Sequence, residues 1–409
     1  MHTDRLQTSV LTSSPRPIFT LILCSRSDEY QGNSRWRLQT ALNYVGQAVH
    51  QLGRQDDVEV IVVDWGSDTP LRDILNLTPA AARIVSFMLI PPEIARVEQK
   101  DSPFPEVLAL NAAARLANGE YIGRIDQDTL VGMHFLKMLF WLYEKPRLLV
   151  PFRHALMLSN RRRISVRFTA KSPSLWAVER LVRWFGRFLP LMDPLPPHLF
   201  YQSYVGIWLL HRDLWHECGG YDERFIYMDW QEVDMMLRLT PKYTLVNLGE
   251  LTNHDLYHLD HGPARVAWSA HRNRKCNPTR GLDDLPETFY PNSENWGLRQ
   301  YRLGVLPYPT DKAGEQEATL DWPRFKWLSF TFLLLTTSVQ IALDMVIIAV
   351  QTLWNLLIRS ATRVWWFLFA VSTWKNRVRV TQETISGQPL LSWPRLLLTR
   401  WNQRRAQRS

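Results

Sequence analysis

Strand-length apolar runs alternate with stretches of helical apolar spacing through the first third of the chain. Ile18-Phe19-Thr20-Leu21-Ile22-Leu23, within Pro17 to Cys24, has the length and continuity of a buried parallel strand, and it stops at the polar turn Ser25-Arg26-Ser27-Asp28. From Arg35 to Leu52, Leu38, Leu42, Val45 and Val49 recur at helical spacing. Val58-Glu59-Val60-Ile61-Val62-Val63 predicts a second strand, closed by Asp64-Trp65-Gly66-Ser67-Asp68. A third is expected over Ala82 to Ile90, followed by a turn at Pro91-Pro92. Val107, Leu108, Leu110, Ala113 and Leu116 predict a helix over Phe104 to Leu116, and Tyr121 to Ile125 a short strand that runs into Asp126-Gln127-Asp128. Repeated strand and helix with polar tips on one sheet edge predicts a doubly wound α/β domain, whose ligands bind beyond the carboxyl ends of the strands.

Later in the chain the pattern changes. Arg161 to Phe188 carries Arg161, Arg162, Arg163, Arg167, Lys171, Arg180, Arg183 and Arg187 against Glu179 alone. Glu179, Arg180, Arg183 and Arg187 share one helical face; Trp176, Val178, Leu181, Val182, Phe185, Phe188 and Leu189 fill the other. Such a helix either lies in a bilayer interface or packs as an ordinary surface helix, and the spacing does not choose. From Trp327 to Ile358 the only charge is Asp344, a length sufficient to span a bilayer, with a candidate span near 328–352. Yet Thr337, Gln340, Asp344, Gln351 and Asn355, continued by Arg359 and Arg363, form one polar stripe, which favours a helix lying in the membrane plane.

Composition supports a folded enzyme-sized chain: 409 residues at 46% hydrophobic content exclude a disordered protein and allow one large or two smaller domains. The net charge of +9 is concentrated at the C-terminus. There Arg359, Arg363, Lys375, Arg377, Arg379, Arg395, Arg400, Arg404, Arg405 and Arg408 face a single Glu383 and interleave with six tryptophans from Trp354 to Trp401. This favours an anionic membrane surface as partner, with no nucleic acid. Cys24, Cys218 and Cys276 have no metal-finger or disulfide spacing, and residues 1–16 contain no signal-like apolar run, so residence on the cytoplasmic face of a membrane, peripheral or monotopic, is expected. The expected organisation is a tail over 1–16, a folded α/β domain over 17–305, a linker over 306–326 and a membrane-associating region over 327–409. Within the α/β domain, 155–199 is expected to be a basic amphipathic insertion between two halves, 17–132 and 200–305.

The chemistry-bearing residues concentrate at the strand tips and in a later acidic segment. Asp126 and Asp128 can project to one side, and paired carboxylates suit Mg2+ or Mn2+ better than zinc. Alone, Asp-x-Asp is a common tripeptide. Gly219-Gly220-Tyr221-Asp222-Glu223 is followed by Asp229-Trp230-Gln231-Glu232-Val233-Asp234, in which Asp234 can pair with Arg238 one helical turn on. Asp229 and Glu232 have the spacing of a capping box, so each has a structural reading beside a catalytic one. His254, His258 and His261 fall close together, which raises metal or phosphate contact above a merely structural role.

From about Phe19 to Met236 the chain resembles the GT-A fold of family 2-type glycosyltransferases, with a galactosyltransferase-like acceptor region in its C-terminal half. The motifs are Ser25-Arg26, Val63-Asp64-Trp65-Gly66-Ser67, Asn111 through Ala117 with Gly119 to Ile122, Asp126-Gln127-Asp128, the Gly219-Gly220 loop and the acidic helix. The resemblance implies a mixed sheet flanked by helices and a nucleotide-sugar donor, UDP-linked. Asp64 would read the base; Ser25, Arg26, Asn111, Arg124 and Asp126 would contact the nucleotide. Asp126, Asp128 and His258, with His261 as second choice, would hold Mn2+ or Mg2+. Gly219, Gly220, Tyr221, Asp229 and Trp230 would form the acceptor side, for a carbohydrate or glycolipid acceptor. Glu232 would be the base of an inverting transfer, although the family's Glu-Asp pair reads Gln231-Glu232 here. Two other functions fit parts of the sequence: a metal-dependent nucleotidyltransferase, which leaves the glycine loop unexplained, and a non-catalytic membrane scaffold, which the Gln231-Glu232 departure favours.

Overall fold

The computed structural model describes residues 16–28, 32–145, 152–192, 205–227, 231–261 and 290–314, with Leu335, Val339 and Val346 beyond them. Its strands are β1 (Phe19–Ser25), β2 (Val58–Trp65), β3 (Val85–Ile90), β4 (Tyr121–Ile125), β5 (Thr129–Val131), β6 (Ala155–Asn160), β7 (Arg162–Ile164), β8 (Val205–His211), β9 (Thr244–Asn247), β10 (Leu256–Leu259) and β11 (Val305–Pro307). The helices are α1 (Ser34–Gln51), α2 (Leu71–Ile74), α3 (Pro79–Ala82), α4 (Pro92–Gln99), α5 (Glu106–Leu116) and α6 (Met133–Glu144). They continue with α7 (Val166–Thr169), α8 (Leu175–Phe185), α9 (Arg212–Glu217), α10 (Gln231–Leu239) and α11 (Leu248–Thr252).

Eight strands form one mixed sheet in the order β11-β3-β2-β1-β4-β8-β6-β9, and β5, β10 and β7 form a smaller second sheet. The central run β3-β2-β1-β4 is parallel, and β8 runs antiparallel to both β4 and β6. Alternation of side chains explains why both faces are apolar. Leu21, Leu23, Val60 and Val62 pack with Leu38, Leu42, Val45 and Val49 of α1; Ile22, Ile61 and Val63 pack on the other face with Val107, Leu110 and Ala113 of α5. Burying each such side chain is worth about 1.5–3 kcal/mol, so the two helices hold the sheet from both sides. β1 lies between β2 and β4, which makes its carboxyl end a topological switch point where the chain leaves a crevice. Register aligns Ser25 with Asp64 across β1 and β2, and Ile22 with Arg124 across β1 and β4, so three tips share that edge.

The mixed α/β sheet flanked by helices agrees with expectation, with local differences. The third strand begins at Val85 rather than Ala82, because Pro79–Ala82 turns into α3, capped by the Thr78 side chain and carrying proline at its first position. Pro91-Pro92 opens a helix instead of a turn: Pro92 begins α4, where its missing N–H costs nothing. Residues 155–164, expected to begin a basic insertion, form β6 and β7, and β6 lies inside the main sheet. The apolar side of α8 (Ala177, Val178, Leu181, Val182) packs with Ile164, Phe168 and Tyr257, which makes α8 an ordinary surface helix with its apolar face inside the protein. No helix among the described residues is long and apolar enough to cross a membrane. The expected in-plane helix over 327–358 and the basic, tryptophan-rich tail lie outside the described residues except for Leu335, Val339 and Val346, which are helical and exposed.

Gly46 of α1 meets the backbone of α3, where a Cβ would stand 2.4 Å from the Ala81 Cα. Gly46→Val is therefore expected to lower stability by about 1–3 kcal/mol, read as a lower urea midpoint at unchanged m-value. A midpoint equal to wild type would show that α1 and α3 do not meet this closely.

Candidate active site

After Ile125 the chain cannot continue as a strand: it turns at Asp126–Asp128, with the Thr129 N–H donating to the Asp126 carbonyl at 3.0 Å, and leaves as β5. That turn sets two carboxylates among three buried guanidinium groups from different elements. Arg37, on α1 and 1% exposed, reaches Asp128 Oδ2 at 2.6 Å. Arg161, between β6 and β7, reaches Asp126 Oδ2 at 2.5 Å and Asp128 Oδ1 at 3.7 Å, and donates to Thr129 Oγ1 at 2.8 Å. Arg124 of β4 places Nη2 2.7 Å from Asp126 Oδ1, 2.7 Å from Glu106 Oε1 and 3.3 Å from Glu232 Oε1.

The electrostatics follow from these pairings. Burial alone would raise the Asp128 carboxyl, but His258, Arg161 and Arg37 together hold it well below the ordinary carboxylate range. Asp126 is likewise lowered, with burial opposed by Arg124 and then Arg161. Burial works against the charge on Arg124, and the carboxylates of Asp126, Glu106 and Glu232 more than restore it. Glu232 goes the other way. Its carboxyl is pushed up to about 7, chiefly by burial and then by the charge of Glu106, against the pull of Arg124.

His258 comes from β10 of the smaller sheet, and His261 lies just beyond the end of that strand. β10 pairs antiparallel with β5, setting His258 opposite Thr129, and this register brings His258 Nδ1 to 3.0 Å from Asp128 Oδ1. His261 Nε2 lies 3.5 Å from Asp128 Oδ2. One ligand atom from each of Asp128, His258 and His261 falls within 4.8 Å of the others, a donor set able to hold one ion. A carboxylate with two imidazoles fits a transition ion such as Mn2+ better than Mg2+, which prefers oxygen, and it removes the reason for setting zinc aside. Asp126, expected as a ligand beside Asp128, is paired through its two oxygens with Arg124 and Arg161, and among the described residues the cluster able to hold an ion consists of Asp128 and the two histidines. His258 and His261, expected as alternatives, belong to it together.

On the other side of Arg124 stands the glycine loop. Gly219 and Gly220 both have left-handed backbones, φ 67° and 71°, and a Cβ on Gly220 would lie 2.3 Å from Asn111 Oδ1. Asn111 is fully buried and holds this loop: its amide donates to the Tyr221 carbonyl at 2.9 Å and accepts from the Tyr221 N–H at 2.8 Å. Arg238, paired with Asp234 at 2.8 Å as the helical spacing predicts, donates to the carbonyls of Cys218 and Gly220, which ties α10 to the loop. Among the described residues, the Tyr221 hydroxyl and Gln231 Oε1 are buried without hydrogen-bond partners.

The other sequence-predicted residues have partners within the chain. Asn111 holds the glycine loop. The Ser25 hydroxyl donates to Gln127 in the Asp-x-Asp turn. Arg26 turns away from the cluster to Asp28 at 2.6 Å and to the Pro103 carbonyl at 3.1 Å. Asp64 is buried and accepts from the Ser67 hydroxyl and, at 2.7 Å, from the Leu71 N–H, so both oxygens brace its own turn. Asn292 and Trp296 pack against the glycine loop, with Asn292 donating to the Gly219 carbonyl at 2.7 Å. Asp229 and Trp230 lie outside the described residues. Arg37, Arg161 and Glu106 were not anticipated. Arg37 follows the apolar face of α1 too closely for a solvated arginine, since Ala41 one turn on is core; Arg161 was hidden in a charge run, and Glu106 in a helix first turn where any carboxylate is favourable.

No protein-family model and no curated protein matches the sequence. Among solved structures the chain is similar to TarS 1–349 of S. aureus, with a TM-score of 0.37 at 14% identity over 59% of this chain. The chain thus spans 60% of the length of that structure. The same TarS fragment in complex with UDP-GlcNAc gives 0.37 at 14% identity over 61% of this chain and 60% of that one. The catalytic domain of Drosophila beta1,4galactosyltransferase 7 in complex with xylobiose gives 0.34 at 11% identity over 66% and 84%.

Two outcomes follow from the geometry. Mn2+ titration followed by water-proton relaxation is expected to show His258→Ala and His261→Ala each weakened by about tenfold or more, with Asp126→Asn close to wild type; loss in Asp126→Asn with His261→Ala unaffected would restore Asp-x-Asp ligation. Arg37→Met, which removes one cation from Asp128 and leaves His258 and Arg161 beside it, should cost about 1–3 kcal/mol at neutral pH. The wild-type carboxyl is depressed, so its contribution is present above the ordinary aspartate value and lost as pH falls through the folded one. In the variant the penalty should shrink below about pH 4 as Asp128 takes a proton; a pH-independent penalty would mean that Arg37 acts only by packing.

Proposed function

We propose that the chain is a glycosyltransferase that moves a sugar from a nucleotide-sugar, UDP-linked in keeping with its sequence motifs, to an acceptor hydroxyl with inversion at the anomeric carbon. The observation that carries this reading is the convergence of Glu232, from the first turn of α10, on the same guanidinium as the strand-tip Asp126. A carboxylate titrating at about 7 suits a general base, because it is ionised at working pH yet basic enough to accept a hydroxyl proton.

In this reading the nucleotide occupies the crevice at the ends of β1, β2 and β4. Asp128, His258 and His261 would hold a divalent cation, which supplies positive charge to the departing diphosphate. Arg161 and Arg37 add fixed positive charge on the same side, already oriented by the aspartates and so needing no reorganisation. Glu232 takes the acceptor proton while the oxygen attacks from the face opposite the diphosphate. The unpartnered Tyr221 hydroxyl and Gln231 Oε1 are polar groups that an acceptor's hydroxyls can satisfy. The basic, tryptophan-rich C-terminal sequence makes a glycan or lipid-linked acceptor at the cytoplasmic face of a membrane the matching substrate class.

Glu232→Gln should retain donor binding and lose transfer by about 10²–10⁴-fold, measured as nucleoside diphosphate release with acceptor present. In wild type, turnover should rise with pH through about 7 as Glu232 ionises. Wild-type turnover in Glu232→Gln would remove Glu232 from the chemistry.

A further inference from the structure

Three carboxylates crowd a single nitrogen of Arg124. Its Nη2 carries two protons, yet oxygens of Glu106 and Asp126 stand at 2.7 Å and one of Glu232 at 3.3 Å. Asp126 has a second partner in Arg161 at 2.5 Å, so its charge is met from another side. Among the described residues Glu106 pairs with no second cation: its other oxygen accepts from Gln231 Nε2 at 3.2 Å. That contact joins the first residue of α5 to the first residue of α10, next to Glu232 itself. Arg124 Nε is buried and has no partner among the described residues, so the plane of the guanidinium is held by the carboxylates that compete for it.

We propose that Glu106 is a positioning residue that sets the basicity of Glu232, by holding a share of the one guanidinium that both carboxylates face. This rests on the reading of Glu232 as the base. The groups facing Glu232 are Arg124 and Asp126 from the β4 tip, Glu106 from α5 and Tyr221 from the glycine loop; beyond Arg124, on β1, burial pushes the Cys24 thiol up and keeps it neutral. One cation thus meets three carboxylates. With Asp126 offset by Arg161, Glu106 is the surplus charge. Neutralising it lets Nη2 close on Glu232, which makes Glu232 easier to ionise and a weaker base.

The test reads Glu232 directly. The full chain is labelled with glutamate bearing 13C at the carboxyl carbon, and the Glu232 resonance, assigned by its loss in Glu232→Gln, is followed against pH. In Glu106→Gln, which keeps an acceptor for Gln231, the midpoint should fall by about one pH unit, and in Glu106→Asp, which keeps the charge, it should stay near wild type. Arg124→Gln should move it upward. If Glu106→Gln fails to fold, Glu106→Ser, suited to a helix first turn, is read in its place. A Glu232 midpoint that is unmoved or raised when the Glu106 charge is removed overturns the proposal. Where transfer is observed, the acid limb of the pH–rate profile should shift with the midpoint. A shifted midpoint in a protein that transfers no sugar would sink the glycosyltransferase reading and leave the coupling standing; transfer with an unmoved midpoint would do the reverse.

Discussion

The neutralisation of buried charge at the sheet edge is the constraint on which the site depends. The four carboxyl groups of Asp126, Asp128, Glu106 and Glu232 meet the three guanidinium groups of Arg37, Arg124 and Arg161, and the seven side chains come from α1, α5, β4 and the turn after it, the β6–β7 junction and α10. Ion pairs this deep are poor sources of net stability, since desolvation offsets most of their attraction, but losing one member leaves a charge with nothing to meet it. The cluster therefore acts as a register pin. The first helix, the strand tip and the acidic helix must dock correctly together or not at all.

The same balance divides the labour of the two aspartates. Asp126 is spent on arginines: it orients Arg124 toward Glu232 and Arg161 toward the crevice. Asp128 faces His258 of the second sheet and His261 just beyond it, where one carboxylate and two imidazoles make a site for an ion. Within the Asp-x-Asp tripeptide, Asp126 thus pairs with the arginines while Asp128 stands beside the histidines. The glycine loop, braced by Asn111, Arg238 and Asn292, closes the far side.

Much of the fold was legible because its signals are local. The continuous run Val58–Val63 and the spacing of Leu38, Leu42, Val45 and Val49 encode a buried strand and its covering helix by period alone. The proline pair at 91–92 misled, since the same fixed φ that suits a turn also suits the first position of a helix. At the site, Asp128, His258 and the Asp234–Arg238 pair were visible from motif and spacing. Arg37, Arg161 and Glu106 were not, because their importance comes from pairing across 91, 35 and 18 residues of sequence, which no local pattern reports. Asp64 and Asn111 show the converse. Their positions fit a motif, yet their polar atoms are engaged by neighbouring backbone.

The central claim is that the crevice at the ends of β1, β2 and β4 takes a nucleotide-sugar, with its diphosphate toward Asp128 and its sugar toward Glu232. A crystal structure of the full chain with UDP-sugar and Mn2+ tests it most directly. The account predicts the metal on Asp128, His258 and His261, the diphosphate beside it, and the anomeric carbon on the Glu232 side of Arg124. A nucleotide bound away from Asp64 and Asp128, or a metal held by Asp126 with the histidines unengaged, would contradict it.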